Sequence, residues 1–391
     1  MTVIAMTGDE AVAHAAKQSN VDIVAAYPIT PQTIIVERFS KYVADGEVQT
    51  GYICVESEHS ALSACIGSSL TGARVFTATS SQGLALMHEM LYIASGLRLP
   101  IVMGVANRAL SAPINIHGDH SDMMGSRDCG WIQIYVENAQ EGYDWTIQAF
   151  KIAEDLEVQL PVSVNLDGFI ITHCVEGVDV AGDDVVAKFV QTRKPLFKLD
   201  PQKPVTVGAL CFTDYYYEFK RQQVDALNHV NAVLNRIAKE YKDATGRSYG
   251  ILDAYGMEDA EAAVLCLGST AGTAREVARQ LRAQGKKVGV VKIWLYRPFP
   301  VDEVKAILKN VKAVAVFDKA VSFGAQYGAV CSDVVSALHT TDNGPRIFNV
   351  IFGLGGRDIK PSDIELVFNQ ALETARSGVV KEETVFLGVR E

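Results

Sequence analysis

Short apolar blocks alternate along the first half of the chain with longer segments whose apolar residues recur at helical spacing. Residues 22–26 predict a strand. Ile35, Phe39 and Tyr42 then share one helical face, which Asp45-Gly46 ends. Thr30 is expected to cap that helix, with Pro31 at its first position. Tyr52-Ile53-Cys54-Val55 reads as a short buried strand. Residues 61–70 follow as a helical length of small, uncharged residues, a pattern that predicts burial on all sides. Residues 74–78, 100–106 and 161–166 predict further strands, and 81–95 and 140–157 further helices. This alternation implies a parallel sheet covered on both faces.

Residues 109–127 break the rhythm. The stretch is rich in His, Asp, Gly and Met, and irregular segments of that length inside a compact domain often carry function. Residues 168–210 hold scattered prolines and no sustained period, so they read as a connection. A long amphipathic helix is expected over 218–241, with Leu227, Val230, Leu234, Ile237 and Tyr241 on one stripe and Gly246 as its stop. It should pack along the surface or against a partner chain. A second alternation starts near Asp259, with strands over 263–267, 288–294, 313–317 and 346–352, and Ser362 and Glu365 predict a capping box for the last helix. The expectation is therefore an α/β chain of two domains: residues 1–254, with a connecting segment 168–254, and a smaller α/β domain over 255–391.

Composition narrows the partners. With 391 residues, 48% hydrophobic and 21% charged, the chain has the make-up of a soluble globular protein. A net charge of −10 argues against nucleic acid or an anionic membrane surface. No apolar run approaches the ~20 residues of a membrane span. The N-terminus reaches Asp9-Glu10 without a basic leader, so no signal peptide is expected and a cytoplasmic location is. The seven cysteines include no C-x-x-C pair, which leaves no local zinc or iron–sulfur signature and predicts reduced thiols.

Four clusters fall at the carboxyl ends of predicted strands, the edge at which open parallel sheets bind ligands. They are Tyr27-Pro28-Ile29-Thr30-Pro31, Glu56-Ser57-Glu58, Thr79-Ser80-Ser81-Gln82-Gly83 and Asn107-Arg108. Each also has a structural explanation, as cap, turn or ion pair. Glu58 reads either as a residue that decorates a helix start or as a carboxylate sharing a proton with a heterocyclic nitrogen, because an unpaired ionised carboxylate in a buried helix is costly. The Thr30 hydroxyl and the planar Arg108 fork suit a small carboxylate substrate. His117, Asp119, His120 and Asp122 have the donor atoms for a metal, but their spacing matches no standard site. Loop hydrogen bonding is the expectation there, and no metal ligand is assigned. Arg297-Pro298-Phe299-Pro300 and Gly353-Leu354-Gly355-Gly356-Arg357-Asp358 read first as turns.

These motifs together resemble the alpha subunit of the pyruvate:ferredoxin oxidoreductases (pyruvate synthases), within the 2-oxoacid:ferredoxin oxidoreductase family. The resemblance continues through Asn165-Leu166-Asp167-Gly168-Phe169, Arg297 to Pro300 and Gly353 to Asp358, and so spans nearly the whole chain. It implies a thiamine diphosphate-binding domain of the pyrimidine type followed by a transketolase C-terminal-like domain. The Gly-Asp-Gly motif that holds diphosphate and magnesium in such enzymes is missing. Gly8-Asp9-Glu10 and Gly118-Asp119-His120 come nearest, and neither fits. Diphosphate, magnesium and [4Fe-4S] clusters are therefore expected on partner subunits, named beta, gamma and delta in four-subunit members.

By the same resemblance, Glu58 hydrogen-bonds the pyrimidine ring nitrogen and favours the imino tautomer, Pro28, Ile29 and Thr30 also line the cofactor, and Thr30 and Arg108 hold pyruvate. Arg108 serves either the pyruvate carboxylate or coenzyme A. The implied reaction is reversible, coenzyme A-dependent oxidative decarboxylation of pyruvate with electrons passing to ferredoxin. Run backwards it is a carbon-fixing synthase. The alternatives are another 2-oxoacid (2-oxoisovalerate, 2-oxoglutarate or oxalate) or a non-catalytic scaffold subunit.

Overall fold

The computed structural model describes residues 2–341 and 343–390. The first sheet has seven strands, in spatial order Leu295–Arg297, Ile132–Tyr135, Val162–Asp167, Ile101–Asn107, Val75–Thr79, Ile23–Ala26 and Gly51–Cys54. Every neighbouring pair is parallel except Leu295–Arg297 against Ile132–Tyr135. The inner strands Val75–Thr79, Ile101–Asn107 and Val162–Asp167 are buried at every position, so the polar residues Thr77, Thr79, Asn107, Ser163, Asn165 and Asp167 are buried among their apolar ones.

Gly51–Cys54 departs from expectation. It is the last strand of the sheet, and all but Tyr52 of its residues are exposed. The following helix, Glu58–Leu70, buries only Glu58, Ala61, Leu62, Cys65, Ile66 and Ser69. Gly67 on its other face stays exposed, as do Leu86, Tyr92 and Ile93 on the neighbouring helices Ser81–Leu86 and His88–Gly96. An apolar composition does not itself say that the covering layer comes from the same chain.

The expected connecting segment contains structure of its own. Val175–Val180 pairs antiparallel with Thr2–Thr7, and the helix Asp183–Val190 follows. The strand carries Glu176, Gly177 and Asp179, which hid it from an apolar-run criterion. The long helix spans Tyr216–Thr245. Its stripe is covered by this chain's own helix Ala139–Glu154: Tyr241 Oη donates to Asp144, Lys151 pairs with Glu240, and Arg236 meets Asp155 at 2.7 Å.

The second sheet runs Thr384–Phe386, Arg346–Ile351, Ala313–Asp318, Ala262–Cys266, Val288–Ile293 and Leu252–Tyr255, parallel except for the last pair. Separate apolar cores cover its two faces. Its last helix is Pro361–Ser377, and Asp363 Oδ2 accepts from Lys360 N, so the expected Ser362–Glu365 box does not form and a single return bond two residues earlier stands in its place, with Pro361 at the first helical position.

The two units are tied by charge as well as by the Leu295–Arg297 strand. Lys292 Nζ lies 2.6 Å from both Glu137 Oε2 and Glu141 Oε1, and Trp294 Nε1 donates to Glu141 Oε2 at 2.8 Å. Burial raises the Glu141 pKa, and Lys292 draws it back. Removing one member of a buried ion pair strands the other. Lys292→Met should therefore cost about 3–5 kcal/mol in denaturant unfolding at neutral pH, and a loss below about 1 kcal/mol would show that this cluster does not hold the units together.

Candidate active site

The carboxyl ends of Ile101–Asn107, Val75–Thr79, Ile23–Ala26 and Gly51–Cys54 lie side by side. They carry, in that order, Arg108, Ser80 to Gly83, Pro28 to Thr30, and Glu58. The four clusters therefore occupy one edge of four adjacent parallel strands.

Glu58 opens its helix, with Ser57 as the cap: Ser57 Oγ accepts from Ser60 N at 3.2 Å. The Glu58 side chain is buried (7% exposed), and among the described residues none hydrogen-bonds its carboxylate. It rests on Gly83. A Cβ built at Gly83 would come within 2.6 Å of Glu58 Oε1 and 2.7 Å of Thr79 Oγ1, so only glycine admits the carboxylate here. Thr79 Oγ1 is buried without a partner on the same side of Gly83, and Gln82 Nε2, on the residue before Gly83, is also buried without one. An unpaired carboxylate on a buried side chain and an unpaired buried hydroxyl at one spot are the complement of a polar heterocycle. The residues present thus fit a pyrimidine ring.

Thr30 is not a helix cap. The helix starts at Thr33, with Gln32 before it. The Gln32 side chain accepts from Ile29 N at 3.1 Å and donates to Ala78 O at 2.9 Å, pinning residues 29–32 as a turn against the Val75–Thr79 strand. Pro28 and Thr30 are exposed on that turn and Ile29 is half-buried. The Thr30 carbonyl accepts from Arg108 Nη1 at 2.8 Å, so Thr30 and Arg108 do meet. Arg108 Nε donates to Asn115 O at 2.9 Å, and no described residue engages Nη2. Burial lowers the Arg108 pKa, with Asp122 opposing, and the fork keeps its charge.

Asp122 organises this edge. One carboxylate oxygen accepts from Ser81 N at 3.0 Å and Arg108 N at 2.9 Å. The other accepts from Asn107 Nδ2 at 2.9 Å and from Met123 N at 2.7 Å. A single side chain thus fixes the turns after two strands.

Its neighbours in the irregular stretch do not converge. His120 Nε2 meets Asp167 Oδ1 at 2.6 Å, Asp119 binds Ser121 and Gly355, and His117 is exposed. Among the described residues no three His, Cys, Asp or Glu side chains are grouped to hold a metal. Asp167 also accepts from Ser269 and lies 3.4 Å from Lys319 Nζ. Burial would raise its pKa, but Lys319 and His120 together hold it far below the usual carboxylate range.

Two family models match. Residues 14–239 fit "Pyruvate flavodoxin/ferredoxin oxidoreductase, thiamine diP-bdg", and residues 260–364 fit "Pyruvate:ferredoxin oxidoreductase core domain II". The chain belongs to the pyruvate:ferredoxin oxidoreductase family.

Among its relatives is the pyruvate synthase subunit PorA of Thermotoga maritima, 52% identical over 389 residues, 99% of this chain and 98% of that one. The ketoisovalerate oxidoreductase subunit VorA of Pyrococcus abyssi is 44% identical over 381 residues, 97% of this chain and 95% of that one. The structure of 2-oxoglutarate:ferredoxin oxidoreductase from Magnetococcus marinus, solved with 2-oxoglutarate, coenzyme A and succinyl-CoA bound, superposes with a TM-score of 0.72. It covers 95% of this chain and 65% of that one at 21% identity, a likeness of fold. The expected family and α/β architecture are both met. No described helix is long and apolar enough to cross a membrane.

Burial pushes the Asp122 pKa up to about 6, against the hydrogen bonds from Asn107, Arg108, Ser81 and Met123. The folded chain thus binds this proton more tightly than the unfolded one, and the group's contribution to stability declines as pH rises from about 4 to about 6. In denaturation series from pH 4 to 8, the stability gap between wild type and Asp122→Asn should narrow up to about pH 6 and stay flat above. A gap that widens with pH would contradict the assignment.

Proposed function

We propose that this chain is the alpha-type subunit of a pyruvate synthase, supplying the pyrimidine-facing and substrate-facing half of a thiamine diphosphate site. The carrying observation is the buried Glu58 carboxylate, unpaired and seated on Gly83. Thiamine diphosphate supplies, when bound, the electron sink on which a 2-oxoacid loses carbon dioxide.

The residues of this chain have distinct tasks. Glu58 holds a proton between its carboxylate and the pyrimidine ring nitrogen, which raises the basicity of the ring's exocyclic nitrogen. Low water access strengthens that bond. Pro28, Ile29 and Thr30 form the wall beside the ring. Arg108 offers Nη2 to the carboxylate of the 2-oxoacid, with Nε and Nη1 already anchored. The Thr30 hydroxyl lies on the same turn and is read as the second substrate contact. In the net reaction pyruvate and coenzyme A become acetyl-CoA and carbon dioxide, and two electrons leave singly for ferredoxin.

The chain has no Gly-Asp-Gly motif and no cysteine cluster. We therefore assign diphosphate, magnesium and [4Fe-4S] clusters to beta, gamma and delta partners. The exposed Leu86, Tyr92 and Ile93, on helices that pack against the Glu58 helix, support a subunit packed over this edge. A scaffold role gains nothing from a buried carboxylate left unpaired. The branched 2-oxoacid of the ketoisovalerate enzyme is the second reading, given the 44% identity of that subunit. Comparing pyruvate with 2-oxoisovalerate as electron donors separates the two.

In the assembled complex, Glu58→Gln should lower kcat by roughly two orders of magnitude or more without loss of subunit association. Arg108→Ala should raise the KM for pyruvate roughly tenfold or more. Wild-type turnover in the Glu58 variant, measured by ferredoxin or viologen reduction, would remove that residue from the mechanism.

A further inference from the structure

The glycine turn of the second domain packs against the first-domain edge at Gly355 and Gly356. Gly355 is gripped from both sides: its amide donates to Asp119 Oδ2 at 3.1 Å and its carbonyl accepts from Asn115 Nδ2 at 3.0 Å. Gly353, Gly355 and Gly356 all have positive φ, at 65°, 59° and 76°. A Cβ on Gly355 would collide with Asn115 Nδ2, and one on Gly356 with the His117 side chain. The turn is therefore shaped to fit against residues 115–117, beyond the needs of its own backbone.

Asn115 also faces the other way. Its main-chain carbonyl is the acceptor for Arg108 Nε at 2.9 Å. Its Oδ1 accepts from His117 N at 2.7 Å, which fixes the amide's orientation and leaves Nδ2 to donate toward Gly355. A continuous chain of hydrogen bonds runs from the Gly355 carbonyl through Asn115 to the Arg108 fork and on to the Thr30 carbonyl. Two of the three guanidinium nitrogens are thereby committed, and the direction of Nη2 follows from where Asn115 O sits.

We propose that Asn115 is a positioning residue for substrate binding: the glycine turn of the second domain fixes its side chain, and its carbonyl aims the Arg108 fork at the substrate carboxylate. On this account the second domain takes part in 2-oxoacid recognition although it supplies none of the contacting groups. The inference rests on the substrate role given to Arg108 above.

The test is a double-mutant cycle on the purified complex with pyruvate and coenzyme A, recording KM for each and kcat. Asn115→Ala should raise the KM for pyruvate roughly tenfold, with a much smaller change in kcat and in the KM for coenzyme A. Gly355→Ala, which reaches Asn115 from the opposite side, should reproduce that pattern and serves as the test should Asn115→Ala fail to assemble. In an Arg108→Ala background, Asn115→Ala should add little. An undiminished effect in that background, or a loss in kcat alone, would overturn the positioning role and leave the function standing. An unchanged pyruvate KM in Arg108→Ala itself would remove Arg108 from substrate binding, and this inference with it.

Discussion

A carboxylate on a largely buried side chain is costly to leave without a protein partner, and this chain keeps one at Glu58. The neighbourhood is built to tolerate it. The side chain sits in the first turn of a helix, where the dipole favours negative charge. It presses on a glycine whose lack of a Cβ makes the space. The unpartnered Thr79 hydroxyl beside it extends the pattern: polar groups at this spot are left without protein partners. A chain that only needed to fold would have paired them.

Around that spot the architecture is a frame. Four parallel strands present their carboxyl ends together. Asp122 knots two of the following turns with four hydrogen bonds, and Gln32 knots a third to the Val75–Thr79 strand. The second sheet is joined through buried charge. Asp167 at the end of an inner strand takes His120, Ser269 and Lys319, while Lys292 is held by Glu137 and Glu141. The irregular residues 109–127 add cross-domain contacts of their own: Asn115 and Asp119 hold Gly355, and the His120 amide donates to Lys319 O.

The alternation of strands and helices was legible because strands buried on both faces are mainly apolar and lie between segments of helical period. Glu58 was legible because a charge at the start of an uncharged helix stands out. Four things were hidden. The exposure of Gly51–Cys54 depends on its place at the end of the sheet, which composition does not encode. The Thr30 turn follows from Gln32 reaching Ala78, a contact 46 residues away in sequence. Asp122 and Asn115 lie where no period exists, and their roles come from which strand ends the fold brings within reach. The Leu295–Arg297 strand, which completes the first sheet from within the second half of the chain, has too few residues to carry a pattern.

The most direct measurement is a structure of the assembled complex with thiamine diphosphate bound. The account predicts the Glu58 carboxylate within about 2.6–3.2 Å of a pyrimidine ring nitrogen, with Gly83 directly beneath it. A ring docked elsewhere, or a Glu58 side chain paired with another protein group, would contradict it.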